Sequence, residues 1–231
     1  MIPETVRFSP RGIPDVTLEG RLLDGGGAPC VISHPHPLAS GDMDHGVVVA
    51  LWRGAAARGY RALRYNFRGV GESTGTLTAK SPLATADLGG AVDFLGGGPM
   101  IAVGYSYGAR TTLHAIHAGE AITRAALVGL PTRLPANRAA MASLLMGRNI
   151  KTEQFIEIPD LDLIADAPRP VRVFAGEHDP LVEPDELRAR DVEPDMLPGV
   201  NHFFSRHLGN QPPVADDLDQ LVERVFTFLE S

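Results

Sequence analysis

The sequence is poor in the residues that would announce several large function classes. It holds one cysteine, Cys30, among 231 residues, so no intrachain disulfide can form and nothing points to an oxidising compartment. Lys80 and Lys151 are its two lysines, and its arginines are scattered through the chain. No basic patch is offered to a phosphate backbone, which excludes nucleic acid as the expected partner. No run approaches the ~18 consecutive apolar residues that span a bilayer. The start, MIPETVRFSPRGIPD, lacks the basic and apolar regions of a secretory signal. A cytoplasmic protein without a membrane partner is the expectation. The formal net charge of −7 reads as a solubilising surface.

What is present is ordinary globular material, 44% hydrophobic and 21% charged. The length suits one α/β domain over 1–231, with no linker, repeat or low-complexity tract to divide it. Period-two alternation over 6–8 and 16–23 predicts two strands, and Gly25-Gly26-Gly27 then makes a turn. Short apolar runs at 30–33, 60–66, 100–104, 125–130 and 171–175 read as strands buried on both faces. Helical patterns occupy 46–58, 84–95, 106–118 and 214–229. Such alternation implies a mainly parallel sheet with helices on both faces and an antiparallel N-terminal edge. The stretch 131–170 breaks the rhythm; its segment 138–146 is equally consistent with a small lid and with a packing helix.

The chemistry concentrates at Gly104-Tyr105-Ser106-Tyr107-Gly108, between an apolar strand and a helix. A serine on a tight strand–turn–helix junction needs small neighbours two positions away, because strand and helix approach closely there. Ser106 then stands at a helix N-terminus, where developing negative charge is favoured. A serine hydroxyl needs a base and the base needs an acid. Both follow: Asp179 on the loop after the strand 171–175, and His202 before the last helix. Glu177 and Asp185 are the alternative acids and His207 the alternative base. His114 and His117, inside the helix after Ser106, read as structural. The oxyanion of a tetrahedral intermediate needs two N–H donors. Tyr107 supplies one; in His34-Pro35-His36-Pro37-Leu38 the prolines have none, so the second is His36 or Leu38. Tyr105 and Phe203, with Tyr107, Leu38 and Phe204, could form an apolar wall for substrate and are equally consistent with core packing.

Three patterns in the sequence compete with this reading. His34, His36, Asp42, Asp44 and His45 include metal-ligand types, but D-H comes eight residues beyond the H-x-H and two prolines restrict the motif, so no metal is expected. Gly69-Val70-Gly71-Glu72-Ser73-Thr74-Gly75 has the wrong spacing for a dinucleotide loop and reads as a turn held by its own side chains, with Arg68 as a brace. A scaffold of this kind could also serve as a non-catalytic binding protein, though all three members of a serine triad are present.

Taken with Arg64-Tyr65-Asn66-Phe67-Arg68-Gly69, Gly176-Glu177-His178-Asp179 and Asn201-His202-Phe203-Phe204, these motifs resemble the α/β-hydrolase superfamily over most of the chain. The likeness is greatest to its small, cap-less, dienelactone-hydrolase-like members. The resemblance implies the α/β-hydrolase fold without a large cap, since Ser106 and Asp179 stand only 73 positions apart. It implies Ser106 as nucleophile, Asp179 as acid and His202 as base, with no cofactor. Dienelactone hydrolases proper carry cysteine at the elbow, whereas this chain carries Ser106. Ordinary ester chemistry on small to medium substrates is therefore expected, with thioester, amide, peptide and perhydrolase chemistry open to the same triad.

Overall fold

The computed structural model describes residues 1–37, 41–77, 81–145, 155–158, 160–206 and 215–231. Leu38 and His207 lie outside them. Along the chain, β1 (Glu4–Phe8) and β2 (Leu18–Asp24) precede β3 (Pro29–Ser33), α1 (Gly46–Ala57), β4 (Arg61–Tyr65) and α2 (Ser81–Phe94). Next come β5 (Met100–Tyr105), α3 (Tyr107–His117) and β6 (Ile122–Val128). An excursion of β7 (Arg133–Pro135), α4 (Arg138–Leu145), β8 (Phe155–Glu157) and a 3-10 turn Leu161–Ile164 follows. The chain closes with β9 (Val171–Gly176), α5 (Pro184–Arg188), β10 (Asp195–Leu197) and α6 (Ala215–Leu229).

Eight strands form one sheet in the order β1-β2-β4-β3-β5-β6-β9-β10. β1 and β2 are antiparallel to their neighbours, and β4, β3, β5, β6, β9 and β10 run parallel. The antiparallel edge and parallel body match the sequence reading. The parallel strands alternate between two cores. Val31, Ala102, Leu127 and Val173 face α2 and α3, where Leu88, Val92, Leu113 and Ile116 pack. Ile32, Val103, Val128 and Phe174 face α1 and α6, where Leu51, Trp52, Leu221 and Phe226 pack. Burial on both faces explains why these strands read as continuous apolar runs.

Strand order decides where a ligand can enter. From β3 the chain passes to β4 on one side, then crosses over β3 to β5 on the other. Loops leaving β3 and β5 therefore diverge and open a crevice at their carboxyl ends. The sequence reading placed β6 at 125–130; it starts at Ile122 and ends before Gly129, whose φ of 53° turns the chain. The short β7, β8, α5 and β10 were not anticipated, since three to five residues carry too few repeats for a period to register. β7 and β8 pair with each other as a separate antiparallel ribbon. With α4, they are the regular elements described between β6 and the 3-10 turn, and among the described residues no large cap covers the sheet.

Candidate active site

Ser106 sits between β5 and α3 with φ 55° and ψ −110°. A left-handed φ on a non-glycine residue costs on the order of 1–3 kcal/mol and persists only where its surroundings impose it. Its N–H is pinned to Val128 O at 2.8 Å. The glycines make the turn possible. A Cβ on Gly104 would meet the backbone of Ala109 at 2.6 Å, and one on Gly108 would meet the Ser33 carbonyl carbon at 2.6 Å. Strand β5, helix α3 and strand β3 are thus packed backbone to backbone around the serine.

Asp179 and His202 arrive on the loops after β9 and β10. The His202 turn is braced by Asn201, whose Oδ1 accepts the N–H groups of Phe203 (2.9 Å) and Ser205 (3.2 Å). His178 N–H donates to Val200 O at 2.9 Å and ties the two loops together. His202 Nδ1 lies 2.7 Å from Asp179 Oδ2, and its Nε2 lies 3.0 Å from Ser106 Oγ. A carboxylate can only accept, so the Nδ1 proton faces it and Nε2 accepts from the serine hydroxyl. The acid's other oxygen accepts the Leu181 N–H at 2.9 Å. All three side chains are buried.

The imidazole is also held from beneath. Tyr105 Oη donates to His202 O at 2.9 Å, and the two rings lie 5.6 Å apart. Tyr105 is fully buried. It supports the histidine loop from the core, the packing role that the sequence leaves open beside that of a substrate wall. Phe204 is likewise buried and belongs to the core on the α1 and α6 face, whereas Phe203 is partly exposed, with its ring 5.7 Å from that of His202. Gly129 leaves room for the His202 ring: a Cβ there would stand 3.2 Å from His202 Cε1.

The loop after β3 supplies the opposite side. His36 packs its ring edge-on against Tyr107 at 5.1 Å, and its carbonyl accepts the Gly41 N–H at 3.1 Å. His34 is buried and spends both nitrogens on the backbone, Nδ1–H donating to Pro35 O (2.7 Å) and Nε2 accepting the Phe67 N–H (3.1 Å). Burial pushes its pKa down to about 3, so it stays neutral. His45, considered in the sequence only as a metal-ligand type, caps α1 by accepting the Val47 N–H at 3.3 Å. Its ring lies 5.2 Å from Tyr105, and burial, then the neighbouring His202, lowers its pKa to about 4. Asp44 pairs with Arg64 at 2.6 Å, and Asp42 accepts the Asp44 N–H. Among the described residues, no three His, Cys, Asp or Glu side chains gather as a metal site would require.

The other candidates lie elsewhere. Glu177 is exposed and caps Gly199 N–H at 2.9 Å, and Asp185 pairs with Arg188 in solvent. His114 bonds Asp160, and His117 donates to Leu163 O. Arg68 braces its loop as expected, its Nε and Nη2 both on Asp87 Oδ1. Glu19 of β2, which the sequence reading did not single out, holds the same loop through Asn66 Nδ2 (2.7 Å) and Glu72 N–H (2.6 Å).

Solved structures share this fold. An α/β-hydrolase-like protein of unknown function from Agrobacterium tumefaciens superposes with a TM-score of 0.73 at 21% identity, over 98% of this chain and 95% of that one. The fold is that of the α/β hydrolases. A lidless α/β serine hydrolase from Xanthomonas campestris shares the α/β-hydrolase fold at TM-score 0.66 and 19% identity, covering 99% of this chain and 94% of its own. Est1E of Butyrivibrio proteoclasticus, solved with ferulic acid, gives 0.68 and 18%, with 97% and 98% covered. In sequence, an uncharacterised protein of Rickettsia prowazekii is 24% identical over 210 residues, 83% of this chain and 79% of that protein. No family model matches the chain. Ser106 occupies the strand–turn–helix junction between β5 and α3. No helix among the described residues is long and apolar enough to cross a membrane.

Proposed function

We propose that the chain is a serine hydrolase acting on small to medium carboxylic esters. The observation that carries this reading is the unbroken line from Asp179 through His202 to Ser106, at 2.7 and 3.0 Å, ending on a strained serine at a helix N-terminus. His202 takes the hydroxyl proton as Ser106 Oγ attacks the ester carbonyl, and Asp179 stabilises the imidazolium that forms. The tetrahedral oxyanion accepts the N–H of Tyr107, the first residue of α3, and that of His36 or Leu38. Leu38 lies outside the described residues, and His36 packs its ring on Tyr107. Collapse breaks the carbonyl–alkoxy bond, and His202 gives its proton to the leaving alcohol. The same base then activates water, which adds to the acyl-enzyme and releases the acid and free Ser106.

A fluorophosphonate probe tests the nucleophile: it labels the folded wild type and fails on Ser106→Ala. A panel of p-nitrophenyl esters of increasing chain length, with matched thioesters and amides, tests the substrate class. Turnover highest on short and medium esters is expected. Preference for long chains, or for amides over esters, would overturn the ester assignment while leaving the nucleophile intact.

A further inference from the structure

The excursion between β6 and β9 begins not over the crevice but against the loop that carries the acid. Thr132 is fully buried and its N–H donates to Leu181 O at 2.9 Å, while its Oγ1 accepts the Glu183 N–H at 2.8 Å. Next to it, Arg133 donates from Nε to Pro180 O at 3.0 Å. Its guanidinium is held over the Phe155 ring at 4.5 Å, and its Nη1 lies 3.2 Å from Glu183 Oε2. The cation is therefore fixed by both strands of the β7–β8 ribbon and by the acid loop.

One peptide unit is held at both ends. The carbonyl joining Pro180 to Leu181 accepts from Arg133, and the N–H of that same amide donates to Asp179 Oδ1 at 2.9 Å. Asp179 Oδ2 in turn receives His202 Nδ1–H at 2.7 Å. Hydrogen bonds in series through one amide polarise one another, and a charged donor at the carbonyl strengthens the bond made by the N–H. We propose that Arg133 is a positioning residue for the hydrolytic reaction, acting through the Pro180–Leu181 amide to hold the Asp179 carboxylate against His202. The assignment rests on the triad reading above. It gives the ribbon a task distinct from lid or packing: it clamps the acid.

The test is a double-substitution cycle on kcat for a fluorogenic short-chain ester, using full-length protein whose folding is checked by circular dichroism. Arg133→Met is expected to lower kcat about 10-fold while changing KM less than about twofold, because the acid is misaligned and substrate contacts are not. In the Asp179→Asn background the same substitution is expected to change kcat less than about twofold, since the carboxylate it acts through is gone. Arg133→Lys keeps the cation and a stem over Phe155 but lacks the Nε–H. It runs through the same cycle, with the same expectation, where the methionine variant does not fold. An equal fall in both backgrounds, or no fall in either, overturns the assignment while leaving the triad in place. A wild type that the fluorophosphonate probe does not label overturns the triad reading, and this assignment with it.

Discussion

His34 and His202 occupy comparable positions and do opposite things. Each leaves the carboxyl end of the parallel sheet on a loop, and each is buried. His34 has both nitrogens bonded to backbone groups, so gaining a proton would break the bond from the Phe67 N–H and place an uncompensated charge in the core. His202 has a carboxylate on one nitrogen and a hydroxyl on the other. A proton delivered from that hydroxyl makes a cation already facing an anion. Burial is shared by the two rings; the partner of the second nitrogen makes one a structural peg and gives the other, on the proposed reading, the role of base.

The strongest way to break this comparison is to remove the reacting groups. Ser106→Ala and His202→Ala are each expected to lower kcat on a short p-nitrophenyl ester by about 10⁵-fold or more with little change in melting temperature, since serine and base act as a unit. His34→Ala should do the reverse, costing about 2–4 kcal/mol in urea unfolding through an unfilled space and an orphaned Phe67 N–H. A fall in the folded variant's kcat as large as that of His202→Ala would abolish the distinction drawn here. Asp179→Asn should cost about 10⁴-fold in kcat, because the amide favours the wrong tautomer of His202. Activity close to that of the wild type would move the acid to Glu177 or Asp185.

Acid sharpens the contrast without mutation. In the folded chain His34 stays neutral down to about pH 3 and His45 to about pH 4. Once unfolded, both take protons below their ordinary value of ~6.5. The unfolded state then binds more protons, so stability is full above that value and declines as pH falls towards 4. Each histidine contributes about 1.4 kcal/mol per pH unit where its slope is fully developed. Urea midpoints at pH 7, 6 and 5 measure the decline, and His34→Ala should remove about half of it. The smallest effect is expected from Gly129→Ala. Its φ of 53° and its closeness to the His202 ring predict about 1 kcal/mol of destabilisation and about a 10-fold fall in kcat.

Much of the site was legible because its requirements are local. Gly104 and Gly108 bracket Ser106 since a Cβ at either would strike backbone only a few residues or one strand away. Asp179 and His202 follow in the order in which β9 and β10 enter the sheet, and the competing Glu177 and Asp185 are spoken for by other partners. Tyr105 stays open in the sequence because an aromatic beside Ser106 looks the same whether it faces substrate or core. Strand alternation decides that, and it turns the side chain towards α1 and α6. Glu19, Asp87 and Arg133 gave no signal, since each acts on a group far along the chain.

From the sequence alone came the parallel sheet with its antiparallel edge, the strained serine turn and the types of its partners. These follow from side-chain period, glycine sterics and the chemistry a hydroxyl needs. The tertiary structure decided which histidine meets which acid, that Tyr105 lies under the base, and that the ribbon after β6 grips the acid loop. Backbone conformation answers to neighbours in the chain, but a hydrogen bond answers to neighbours in space, and here those stand 23, 96 and 97 residues apart.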